Sequence, residues 1–209
     1  MLRILFALLV LQAAVLQPAS LLEVERGKLR PSLIEVSKRV LTYSADGDFV
    51  HAEKAASYLE PLYKELEKSG ALPPQLMLSL SQAMKEKNLG KIRESLRRLV
   101  LADAHYLLQN LGSPTLKGGL TPRTRLLMAQ QDWKFLEVGL PKDEHHKKVR
   151  LAISKLFQSL IQTVPHRSGY TESESDWLVK ANGVAAKILS VLDSVLLPRP
   201  PDKPKEGMS

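Results

Sequence analysis

The sequence predicts an all-α fold, an up-and-down multi-helix bundle, on three observations. Apolar residues recur every three to four positions through most of the chain, and no alternating, strand-like stretch competes with them. Ser20-x-x-Glu23, Ser32-x-x-Glu35 and Thr171-x-x-Glu174 fit capping boxes, in which a hydroxyl and a carboxylate satisfy the N–H groups that a first helical turn leaves unpaired. Prolines and glycines stand where helices start and stop.

The first helical segment spans about 21–43, broken near Gly27 to Pro31. The second, 48–69, opens at Asp48, has Pro61 as a kink point, and projects Ala52, Ala55, Leu59, Leu62 and Leu66 onto one face. Gly70 suits its stop, and Pro73-Pro74 suit the first turn of a segment over 73–87. Gly90 and Gly112 bracket a helix over 90–111, whose stripe is Ile92, Leu96, Leu99, Val100, Tyr106 and Leu107. Pro122 begins 122–138, with Gly139 as its stop. Over 143–164 the stripe is Val149, Ala152, Ile153, Leu156, Phe157 and Leu160. The last segment, 173–196, sets Trp177, Ala181, Val184, Ala185, Ile188, Leu192 and Val195 against Lys180, Lys187, Ser190 and Ser194. Gly183 falls on its polar face, where glycine costs about 1 kcal/mol relative to alanine. The loop GSPTLKGGLTP divides the chain into two helical halves, and the tail PRPPDKPKEGMS is too proline-rich and polar to pack. The expected organisation is a signal peptide over 1–19, one helical domain over 20–197 and a disordered tail over 198–209.

The N-terminus places Arg3 before an apolar run from Ile4 to Leu16, followed by small residues, which is the layout of a secretory signal peptide. The run is short for a spanning helix, so cleavage is expected, with a membrane anchor as the alternative. Cysteine is absent from all 209 residues, which excludes disulfides, thiol catalysis, thiolate metal sites and lipoprotein processing. The net charge is +8, and removing residues 1–19 takes away only Arg3. For an exported chain this basicity points to an anionic envelope surface or an acidic envelope protein as partner. Nucleic acid is not expected, because aromatics are 5% of residues and are not interleaved with Lys or Arg.

Three histidines lie near apolar stripes. His51 sits at the margin of the face begun by Ala52, and extending the Val149–Leu160 stripe back one turn reaches His145 and His146. If consecutive helices alternate in direction, these histidines and Met84 share one end of the bundle. Imidazole suits borderline metals, and His or Met can ligate haem iron, so His51, His145 and His146 are candidate metal ligands and Met84 a candidate axial haem ligand. The competing reading is structural: Asp48 and Asp143 are good N-caps, and no ligating residue stands four positions beyond any of the three. The capping reading is preferred, leaving no cofactor, with a metal ion or haem as the alternative. His105 and His166 read as solvated.

Asp103 lies within an apolar stripe, so its carboxylate must be paired or neutralised, by a tyrosine such as Tyr58 or Tyr63 or by a lysine. No catalytic motif is found: G-x-S-x-G, S-x-x-K, H-E-x-x-H and a phosphate-cradling glycine loop are all missing, so an enzyme is not expected. Basic residues concentrate in the central third, at Lys117, Arg123, Arg125 and Lys134, and at Lys147, Lys148 and Arg150, the last three being the candidate anion or partner surface.

The order TYSADGDFVHAEKAASYLEPLYKELE, LSQAMKEKNLGKIRESLRRLVL and WKFLEVGLPKDEHHKKVRLAISKLFQSL resembles the helical periplasmic domain of bacterial high-affinity iron permeases over roughly residues 32–165. The permease's membrane helices and paired glutamate motif are missing. The resemblance therefore implies an accessory role in metal uptake and transfers no individual ligand. The expected function is a non-enzymatic, exported binding or scaffold protein of the cell envelope, with a periplasmic metal- or haem-binding bundle as the alternative.

Overall fold

In the computed structural model the described residues are 33–72, 75–112, 120–164 and 172–196, the side chains of 172–175 excepted. The expected signal peptide, the segment before Leu33, the three capping-box hydroxyls, Pro73-Pro74, Lys117, His166 and the tail lie outside them. Everything described is helix or short connection: α1 (Leu33–Ala45), α2 (Phe49–Ala56), α3 (Glu60–Lys68), α4 (Leu76–Lys85), α5 (Leu89–Gln109), α6 (Pro122–Glu137), α7 (Glu144–Thr163) and α8 (Glu172–Leu196). The protein is an all-α bundle, and among the described residues no helix is long and apolar enough to cross a membrane.

Local chemistry sets the boundaries. Pro61 has no N–H to give the Ser57 carbonyl, so that carbonyl accepts from Glu60 instead, in the tighter 3₁₀ pattern. The expected kink is thus a 3₁₀ turn, Ser57–Leu59, with Pro61 in the first turn of α3. Asp48, Asn88, Thr121 and Asp143 each cap a helix by accepting the backbone N–H three residues on. Gly70 closes α3 with φ 75°, in the left-handed region that favours glycine. Gly90, by contrast, is not a stop: Asn88 takes the cap and places Gly90 inside the first turn of α5.

Contacts divide the chain into two compact units, 1–140 and 141–209. The seam falls at Leu140–Pro141 and not at the loop GSPTLKGGLTP, because the helices flanking that loop, α5 and α6, pack extensively against each other. In the first unit α5 is central. It packs against α1, α3, α4 and α6, and is consequently buried on every side from Leu99 to Ala104. The α2–α3 face fills the same core as expected, with Ala52, Ala55, Leu59, Leu62 and Leu66 all buried.

In the second unit α7 packs on α8. Ile153, Phe157 and Leu160 of the α7 stripe are buried, whereas Ala152 is exposed. On α8 the buried residues are Trp177, Ala181, Ala185, Ile188 and Leu192, and the Trp177 indole N–H donates to Thr163 Oγ1 at 3.2 Å. Gly183 faces open space, with nothing within 4 Å of where a Cβ would stand. Gly183→Ala is therefore expected to stabilise the protein by about 0.5–1 kcal/mol, read as a rise in thermal midpoint. A lowered midpoint would show that this surface is covered.

Candidate functional site

The histidines are where helix-start chemistry puts them. His51 faces outward, its side chain 60% exposed, and its Nδ1 lies 2.6 Å from Asp48 Oδ2. The backbone N–H of His51, and then its ring, hold the Asp48 carboxyl below the usual aspartate range. His146 repeats the arrangement, with Nδ1 2.7 Å from Asp143 Oδ2 and its backbone N–H lowering Asp143 in the same way. An ionised carboxylate only accepts, so each ring donates Nδ1–H back to its own cap.

The inward placement of these rings is corrected accordingly. His145 is exposed, edge-on to His146 at 5.2 Å between ring centroids, and His146 is only partly covered. Met84 is buried in the first unit while His51 is exposed there, so the two do not share a buried face. His51 also borders a shallow cavity of about 390 Å³ lined by Arg39 and Lys54, whose charges disfavour a metal cation. Among the described residues no three His, Asp or Glu side chains are grouped to hold a metal ion. His105, expected in solvent, is half-buried.

The expected basic surface is partly satisfied locally. Lys147 stands 3.6 Å from Glu144, and Arg150 donates to the Pro141 carbonyl at 3.0 Å. Lys148 is exposed. Arg125, counted among the surface charges in the sequence, is instead buried on α6 and donates to the Leu111 carbonyl at 3.3 Å. Asp103 is buried as expected; of the two tyrosines considered for it, Tyr63 is buried and Tyr58 exposed.

A different set of cations gathers in the first unit. Helices α1, α5 and α6 meet around an open cavity of about 680 Å³. Each helix turns one face to it: Ile34, Lys38 and Leu41 from α1, Arg93 and Arg97 from α5, and Gln131, Lys134 and Phe135 from α6, followed by Val138 and Gly139. These spacings of three, four and seven residues are one side of each helix. The groove combines four cations with an apolar lining, and Glu35 is its single carboxylate. Lys38, Arg93 and Lys134 form no ion pair among the described residues. The lining carries an excess of positive charge.

Arg97 is seated by Gly139. Its guanidinium donates to the Gly139 carbonyl at 3.2 Å, and a Cβ on Gly139 would lie 2.6 Å from a guanidinium nitrogen. A side chain at 139 would displace only the flexible end of Arg97, and the backbone φ there is not in the left-handed region, so the position does not demand glycine. The bond uses part of Arg97's donor set, and a guanidinium has five N–H donors in all. Arg93 and Arg97 at i, i+4 and Lys134 with Val138 at i, i+4 were the available sequence signal, but three separate helices had to be superposed to see it.

No protein-family model, curated protein or solved structure matches the chain.

Proposed function

We propose that this is an exported, non-enzymatic helical binding protein of the cell envelope, and that its working surface is the groove between α1, α5 and α6. The observation that carries this reading is the pairing of excess positive charge with apolar side chains in one open cavity. A volume of about 680 Å³ lies within the roughly 300–1,000 Å³ typical of small-molecule sites. The signal-like N-terminus and the overall charge of +8 support an anionic envelope component as the target.

The test is retention on anionic envelope membranes in a sedimentation assay. Arg93→Gln/Lys134→Gln changes two exposed residues and is expected to weaken retention about tenfold or more, while Lys147→Gln/Lys148→Gln/Arg150→Gln is expected to have a lesser effect. Undiminished retention of the groove variant would sink the proposal. Loss confined to the triple variant would move the docking surface to the start of α7.

A further inference from the structure

The groove's chemistry narrows what it can hold, an inference that rests on the groove being the working surface. Lys38, Arg93, Arg97 and Lys134 line it against Glu35 alone. A monoanion compensates that excess only in part, whereas a phosphate monoester, carrying about −1.5 to −2 near neutral pH, matches it more closely. Arginine's planar fork engages two phosphate oxygens at once, and lysine adds a point charge.

The apolar part of the lining selects further. Phe135 is half-buried and Val138 is 84% exposed, so both present carbon surface that a free sugar phosphate would leave wet. An acidic helix from a partner fits less well. A helix anchors by apolar residues spread from i to i+7 along its axis, whereas this lining gathers its cations and its carbon surface around one cavity. We infer that the groove binds a single-chain lipid with a phosphate-monoester head, the phosphate held by the arginines and lysines and the acyl chain laid along the apolar side chains.

The full-length protein is titrated calorimetrically, below the micelle concentration, with myristoyl-glycerol phosphate, with the matching phosphocholine lysolipid, and with glycerol phosphate. The first is expected to bind one-to-one and the second about tenfold or more weakly, with no heat from the third. Arg93→Gln/Lys134→Gln should bring the first down to the level of the second. Val138→Ser, at a position too exposed to endanger folding, should weaken the lipid severalfold.

Equal affinity for the two lysolipids would mean adsorption without headgroup recognition and would overturn the inference. Glycerol phosphate binding as tightly as the lipid would overturn it in favour of a free phosphate ligand. One-to-one binding of an acidic amphipathic peptide, with none of the lipids bound, would overturn it in favour of a protein partner. If membrane retention depends on the groove but no lysolipid binds, the lipid inference falls and the proposed function stands. If lysolipid binds but retention ignores the groove variant, the proposed function falls.

Discussion

Trp133→Ala is expected to lower the unfolding free energy by about 3–5 kcal/mol, read from urea denaturation followed by far-UV circular dichroism. Trp133 is 1% exposed, the largest of the fully buried side chains, and stands on α6 among Leu126, Ala129 and Leu136, which are buried with it. Helix α6 packs closely on α5, the helix buried on all sides through its middle, so the cavity left by the indole cannot refill from solvent-facing chain. The size of the effect follows from lost burial plus incomplete collapse around the void. Total stabilities of about 5–15 kcal/mol make it a large fraction of what holds a domain together. A loss below about 1 kcal/mol would mean that the α5–α6 interface repacks freely, contrary to its burial.

Arg125→Met is expected to cost about 1–3 kcal/mol, although it replaces a charge with an apolar side chain of similar length. Arg125 is 8% exposed and is the one buried cation among the described residues, whose buried carboxylates are Asp103 on α5 and Asp132 on α6. It also donates to the carbonyl of Leu111, tying the end of α5 to the first turn of α6. Removing it takes a donor from a buried carbonyl and a positive charge from the helix pair that holds both carboxylates. A buried carbonyl that loses its donor keeps the cost of its desolvation. A double-mutant cycle with Asp103→Asn locates the effect: a coupling of about 1–3 kcal/mol is expected, and strict additivity would show that Arg125 and Asp103 act independently.

How much of this was legible depends on whether a feature lives on one helix or between several. The α8 stripe from Trp177 to Leu192 and the α2–α3 face from Ala52 to Leu66 were readable, because each is a periodicity within one segment. The Asp48 and Asp143 caps were readable for the same reason. The histidines show where projection fails. It treats a first turn as being as covered as the turns beyond it, but at a helix start the ring can swing back onto the capping carboxylate, as His51 and His146 do.

The groove was not legible. Lys38, Arg93 and Lys134 each sit on the polar side of their own helix and look like solvated charge one segment at a time. Only the packing of α1, α5 and α6 makes them neighbours. Arg125 misled in the opposite direction, since one residue in a basic run of the sequence is the one that the α5–α6 interface encloses. Gly139 does stand just past the end of α6, as a helix stop would, but the Arg97 guanidinium that donates to its carbonyl comes from another helix and was not readable.

The chain carries two tryptophans, and the fold deals one to each unit: Trp133 to the first and Trp177 to the second. Both indoles are buried, and Trp177 donates to a hydroxyl on α7. The protein therefore contains two native optical reporters with separate addresses. Replacing either by phenylalanine leaves tryptophan emission from one unit alone, so the order in which the two halves of the molecule open can be read from light that the polypeptide itself emits.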